Sequence, residues 1–299
     1  NGYDVIPSMA SDDPIPVGSY FTTDGKEVSK VWQIPIREGL EWSYFNNEDA
    51  PTYVTDNSIT AEDFVDTFKI AIDNSWFRAI SGGGDFINFS HSIKGLTEYY
   101  SNADYSDEAW ADVGIKVVND NIQFEFISDQ SDWNMRYWLS SFVMSPIHTE
   151  MYEYYGDAYG KTPTSIGYTG PYVISGYESD VVLSLEKNPN AALPNLDFYT
   201  HKTFQIINDK DIAFELFEAG KLDEIGLPID KYDTYKDDIG LRLIPGNTTY
   251  RIMINGTGTE EALRKIFPNS TWIPEPILAN SNFKTAMFFA IDRRYLAEE

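Results

Sequence analysis

Three histidines, His91, His148 and His201, are the side chains in this 299-residue sequence best suited to proton transfer or metal ligation near neutral pH. None lies four residues from another, and no His-Glu-x-x-His pattern sets two imidazoles on one helix face. A zinc site would need distant ligands to converge, so each is assigned as an ordinary surface or core histidine. No Gly-x-Ser-x-Gly elbow presents a nucleophilic serine. The absence of cysteine removes thiolate catalysis, disulfides and Cys-based metal sites. With 47 Asp and Glu, a glycosidase-like carboxylate pair is always available, and that abundance makes any one pairing uninformative. Asp129-Gln130-Ser131-Asp132 is too short for a calcium loop and lacks its glycine. Gly82-Gly83-Gly84 could cradle a phosphate, but no Lys-Ser/Thr follows, and a turn is the simpler assignment. Asn88, Asn247, Asn255 and Asn269 begin Asn-x-Ser/Thr sequons, which matter only in a host that glycosylates secreted proteins. No catalytic centre, metal site or cofactor is expected.

Composition narrows the partners. Against the 47 acids stand 22 Lys and Arg, a formal net charge of −25. Such a field repels phosphate backbones and anionic lipid, so no nucleic-acid partner is expected. The acids are spread along the chain, which fits a solvated surface better than a site for basic ligands. A 42% hydrophobic share supports a sizeable core, and the length suits two packed units. The 20 Tyr, 18 Phe and 7 Trp serve that core first; a surplus of this kind also suits a cleft that grips a ligand. No run reaches the roughly 18 apolar residues that span a bilayer.

The elements that would position a site can be ordered along the chain. Asp24-Gly25 is a hairpin turn between Tyr20–Phe21 and Val31–Ile36, and Pro35 argues for an edge strand or a bulge. Thr60 and Asp63 form a capping box for a helix whose stripe is Phe64, Val65, Phe68, Ala71 and Ile72. A polar turn from Ser106 leads to a strand at Ile115–Val118. After Asn119-Asp120-Asn121, Ile122, Phe124 and Phe126 form its returning partner. Trp133, Tyr137, Trp138 and Phe142 have helical spacing and are assigned to core, as are Trp32 and Trp42. Pro146 opens a new unit with a short helix to Tyr155. A hairpin of Tyr172–Ile174 and Val181–Leu185 follows, with Ser175, Gly176, Ser179 and Asp180 as its turn. Then come a strand at Phe198–Ile206 and a helix Asp209–Ala219 capped by Asn208, with Ile212, Ala213, Leu216 and Phe217 inward and Gly220 ending it. Leu222–Leu227 is expected as a short buried strand, and residues 229–240 as a charged linker. Strands at Arg242–Ile244 and Thr249–Ile254 and a helix Phe283–Ile291 complete the chain. Strands mixed with capped helices, without a strict βαβ period, give an α+β or mixed α/β class.

Several of these elements, in this order, resemble the extracytoplasmic solute-binding proteins of oligopeptide and dipeptide ABC importers. The segments are VWQIPIREGLEWSY with TAEDFVDTFK after it, SPIHTEMYEYYG, SIGYTGPYVISGY with LSLEKNPN, FEAGKLDEIGLP, TYRIMIN and NFKTAMFFAIDRRYL. Lys284 stands where the last motif often has Arg, and the insert around Gly82–Tyr105 is not standard. The resemblance implies a two-lobed, periplasmic-binding-protein-like clam of type II. Residues 1–145 would be an extra domain of the first lobe, 146–228 its main sheet domain, and 229–299 the start of an incomplete second lobe. It also implies a fragment, with a leader, lipid-bearing Cys and first strand before Asn1 and most of the second lobe after Glu299. The implied function is extracytoplasmic capture of peptides, as a periplasmic or surface-anchored monomer that is not an enzyme, for delivery to an ABC permease. Peptide backbone would be held by strand addition from Gly226 and Leu227 in the first lobe and Tyr250, Met253 and Asn255 in the second. The alternatives are a plain turn at Gly226 and plain packing at Tyr250 and Met253. Other cargoes of the same fold (dipeptide, nickel, haem, oligosaccharide), a secreted glycan hydrolase and a surface adhesin also remain open.

Overall fold

The structure, a computed structural model, describes residues 5–76, 92–141, 144–195, 198–244 and 253–293. The Gly82–Gly84 triplet, His91, Phe142, Asn88, Asn247, and Tyr250 with most of its expected strand lie outside the described residues. The chain packs as two units, Asn1–Gly226 and Leu227–Glu299.

The first unit opens with β1 (Ile15–Val17), β2 (Tyr20–Phe21), β3 (Glu27–Pro35), α1 (Ala61–Asp73), α2 (Leu96–Asn102), α3 (Asp107–Trp110), β4 (Ile115–Val118), β5 (Asn121–Ser131) and α4 (Asp132–Leu139). The strands form one antiparallel sheet in the order β1-β3-β5-β4, with β2 also on β3. Its turns follow from their residues. Gly25 sits at φ +79 in the β2–β3 loop, which Thr22 N closes on Lys26 O at 2.9 Å. Asn119 and Asp120 both take left-handed φ values, 51° and 62°, as a two-residue hairpin turn demands. Alternation then puts Trp32, Ile34, Ile122, Phe124 and Phe126 on one buried face. Trp32 stands opposite Phe124, and Ile34 opposite Ile122. α1 lays its apolar stripe on this face, with the Phe68 ring edge-on to Phe124 at 5.8 Å. At its start, the Asp63 carboxylate accepts from Thr60 N at 2.8 Å, the expected half of the capping box.

The first unit continues with α5 (Thr149–Tyr155), a second antiparallel sheet of β6 (Tyr172–Glu178), β7 (Val182–Lys187) and β8 (His201–Gln205), and α6 (Lys210–Glu218). The second unit holds α7 (Tyr232–Tyr235), α8 (Glu260–Ile266), α9 (Pro276–Ala279) and α10 (Ser281–Ala290). Leu263 is buried there, whereas Leu243, Ile244, Met253, Ile273 and Phe289 are exposed.

Local expectations fail at identifiable points. Pro35 is the last residue of β3, a central strand, and the irregularity lies instead between Ser29 and Val31. There the Ser29 hydroxyl donates to Val17 O at 2.6 Å and accepts from Val31 N at 3.0 Å, so the side chain takes up the Val31 N–H at the kink. The polar turn expected from Ser106 contains α3, whose Ala109 N donates to the Ser106 hydroxyl. On α4, Met135 is fully buried while Trp133 is 70% exposed, because period alone does not say which stripe faces inward. Ser175 and Gly176 belong to β6 rather than to its turn; the register shifts between Ile174 and Gly176, and Asp180 at φ +60 makes the corner. The cap of α6 is Asp209, not Asn208, with its Oδ1 accepting from Asp211 N and Ile212 N. Phe214 is its buried residue, and Ile212 and Phe217 are exposed. Neither Leu222–Leu227 nor Arg242–Ile244 forms a strand, and helical turns occupy 229–235 instead of a plain linker.

Candidate functional site

The residues singled out for ligand contact are divided between the two units, Gly226 in the first and Leu227, Met253 and Asn255 in the second. Gly226 is exposed, and a Cβ placed on it would meet nothing within 4 Å. Leu227 is half-buried, and Met253 is 76% exposed. The Asn255 side chain accepts from Thr257 N at 3.1 Å, a turn-forming bond within its own loop. Among the described residues, Leu222–Leu227 makes no backbone–backbone hydrogen bond. Of the two described histidines, His201 is exposed, with Nε2 3.8 Å from Glu186 Oε1. His148 is buried. Among the described residues, no three His, Asp or Glu side chains converge as metal ligands would.

What the fold does bring together is a buried polar cluster built from four of the recognised segments. Ser43 and Tyr168 form an isolated antiparallel bridge, with N–H to O distances of 3.0 and 2.8 Å. The fully buried Asn188 completes the joint. Its Oδ1 accepts from the Ser43 hydroxyl at 2.7 Å and from Asn190 N at 2.9 Å, and its Nδ2 donates to Gly170 O at 2.7 Å. The first Asn of KNPN therefore ties the Trp42 loop, 145 positions before it, to TGPY, 18 positions before it.

Beside it, the Trp42 indole stacks on the His148 imidazole with centroids 4.9 Å apart and planes 27° off parallel. A Cβ on Gly167 would lie 2.8 Å from Trp42 Cε3 and 3.1 Å from His148 Cβ, so only glycine fits that approach. Tyr44 donates its phenolic proton to Asn57 Oδ1 at 2.6 Å. His148 Nε2, 3.2 Å from the same phenol oxygen, must then donate to it, which leaves Nδ1 bare. Nδ1 is buried without a partner, as is Trp42 Nε1. A second proton on His148 would have no acceptor, and burial holds its pKa below the usual histidine value. Burial also lifts the Tyr44 phenol to about 12. Glu150 is held below the ordinary carboxylate range, first by the Thr55 hydroxyl and also by Thr55 N and Asp56 N at 2.7 and 3.2 Å. These groups are locked to one another, and their chemistry is structural. None of Ser43, Gly167 and Asn188 carries a one-dimensional signal of this role.

The same architecture occurs in solved binding proteins. The structure of the pheromone receptor PrgZ superposes with a TM-score of 0.67 at 21% identity, covering 98% of this chain and 49% of that one. Listeria monocytogenes OppA bound to peptide gives 0.58 at 17% identity, covering 77% of this chain and 40% of that one. At these identities the likeness establishes the fold, the mixed α/β scaffold of OppA-type binding proteins. The chain belongs to the bacterial extracellular solute-binding proteins, family 5, whose description matches residues 5–299. This is a family of binding proteins rather than enzymes. Among curated relatives, the oligopeptide-binding protein SarA of Streptococcus gordonii is 26% identical over 193 residues, 62% of this chain and 24% of SarA. AmiA of Streptococcus pneumoniae, also named oligopeptide-binding, is 24% identical over 292 residues, 89% of this chain and 40% of AmiA. The chain thus spans less than half the length of these relatives.

Proposed function

We propose that this chain belongs to the peptide-capturing part of an oligopeptide importer, holding peptides outside the cell for an ABC permease. The observation that carries the proposal is family membership over residues 5–299, with relatives that are themselves named oligopeptide-binding. In this proposal residues 1–145 are an accessory domain of a first lobe, 146–228 its main sheet domain and 229–299 the beginning of a second lobe. Capture proceeds by strand addition: peptide N–H and C=O groups pair with protein backbone, so affinity depends little on side-chain identity. Leu222–Leu227 makes no backbone–backbone hydrogen bond among the described residues, which supports that role for Gly226 and Leu227, and Gly226 lets a second backbone approach closely. Tyr250, Met253 and Asn255 are proposed as the contribution of the second lobe. Lobe closure then traps the ligand, and the permease recognises the closed form.

Native mass spectrometry of the purified chain, with sequencing of what denaturation releases, tests this directly. One peptide per protein, heterogeneous in sequence, is the expected result. For a captured sequence, methylating one central backbone amide should weaken binding about 2- to 10-fold, the worth of one hydrogen bond. Changing a side chain to Ala should matter less. A chain that retains no peptide, and ignores added peptides, would overturn peptide capture.

A further inference from the structure

We infer that Asn255 is a site of self-modification, at which the Gly256 amide closes on the side chain and the asparagine becomes a mixture of aspartate and isoaspartate. The change is covalent and needs only water as co-reactant. It does not rest on the peptide-capture proposal, although it falls on one of the residues proposed there for ligand contact.

Sequence narrows the candidates. The ring closure needs an Asn or Asp whose following peptide nitrogen no side chain screens, so glycine must come next. Asn255-Gly256 and Asp24-Gly25 are the two such pairs among the described residues; Asn1-Gly2 lies outside them. The structure separates the two. Asn255 and Gly256 are both exposed, in a stretch, 253–258, that forms neither helix nor strand. Gly256 N enters no backbone–backbone hydrogen bond among the described residues, so its proton is open to removal. Asn255 Oδ1 accepts from Thr257 N at 3.1 Å, an Asx turn that folds the carboxamide over the Gly256 peptide link. The same bond draws electrons from the carbonyl and makes Cγ more electrophilic. Lys284 supplies charge, with its Nζ 3.7 Å from the position that a Gly256 Cβ would take. A cation beside this link favours both the amide anion that attacks and the carboxylate that results.

Asp24 differs on each count. Hydrogen bonds from Lys26 and from the Thr22 hydroxyl hold its carboxyl at about 2, so it is ionised, and a carboxylate anion is a poor electrophile. Gly25 N is also occupied, donating to Thr22 O at 2.9 Å.

At Asn255, Gly256 N gives up its proton and bonds to Cγ. The bond from Cγ to the side-chain nitrogen breaks, and that nitrogen leaves with the proton as ammonia. Water then opens the imide ring at either carbonyl. One opening leaves aspartate; the other leaves isoaspartate, whose main chain runs through the former side chain. Either product adds a negative charge to a chain already at −25.

The test incubates the full chain at mildly alkaline pH in heavy-oxygen water and maps its peptides by mass spectrometry. The expected result is exchange of –NH2 for heavy –OH at Asn255, with isoaspartate present, ahead of every asparagine that precedes a residue other than glycine. Asp24 should stay free of isoaspartate. An Asn255 that stays intact, or that yields aspartate without isoaspartate, would overturn the inference. Gly256→Ala should slow the change about 10-fold or more, because a methyl group then screens the attacking nitrogen. Its Cβ would meet Leu278 O and Lys284 Nζ at 3.7 Å, ordinary contact distances, so that variant keeps the fold. An unchanged rate in Gly256→Ala would overturn the route through Gly256 N. Unfolding isolates the part played by the turn. The folded chain should convert Asn255 at least as fast as the chain in guanidinium, and a folded rate about 10-fold lower would overturn that part.

Discussion

Asn188 illustrates how much a single buried amide can hold. It satisfies Ser43, Gly170 and Asn190 at once, so Asn188→Ala strands a hydroxyl and a carbonyl in the interior. A loss of about 2–3 kcal/mol in urea unfolding is expected. Asn188→Asp keeps the acceptor for Ser43 but sets an oxygen against Gly170 O, and should rescue little. Gly167→Ala pushes a methyl group into the Trp42–His148 stack and should cost about 1–3 kcal/mol. His148 gives the pH signature. Its folded pKa lies below the unfolded value near 6.5, so the unfolded chain binds the extra proton first. Stability is therefore full above that value and falls as pH drops through about 6.5 toward the folded pKa. Urea midpoints between pH 5 and 8 should show this slope, and His148→Gln should flatten it. Asp63 and Asp66 act in the opposite sense at lower pH, since burial raises their pKa and folding then favours the protonated form.

Elements differ in how strongly neighbours fix them. α1 has both a local start signal and a buried stripe, so Asp63→Ala should remove about 1 kcal/mol without changing the fold. β5 and α8 sit at opposite extremes. Ile122, Phe124 and Phe126 are sealed between two strands and a helix, whereas α8 is anchored by Leu263 alone among its described residues. Hydrogen exchange should consequently be slowest across 122–126 and fast across 260–266; equal protection of the two would contradict this ranking. Sequence pattern served these elements unevenly, and the reasons are physical. β4, β5 and α1 were legible because alternation, turn residues and caps agreed. α4 and α6 were legible as helices, but their buried faces were not, since an aromatic stripe on a short helix can point to solvent as readily as inward. Leu222–Leu227 has strand composition but no strand partner among the described residues, and pairing is what makes a strand.

At the scale of the whole molecule, the net charge of −25 is a destabilising self-repulsion spread over the surface. Raising salt from about 0.01 M to about 0.15 M shortens the screening length from roughly 30 Å to 8 Å and should raise Tm. An unchanged or lowered Tm would mean that local ion pairs, such as those of Arg136, outweigh the diffuse term.

By itself the sequence determined the mixed α/β class, the absence of thiol chemistry, the elements that carry their own start and stop signals, and the family. It could do so because caps, turns and alternation are short-range, and because the family segments keep a fixed order along the chain. Only the tertiary structure decided what those segments are for. Trp42, His148, Gly167 and Asn188 lie in four different stretches, and their joint role exists only once the chain has folded to bring Ser43 and Asn188, 145 positions apart, together.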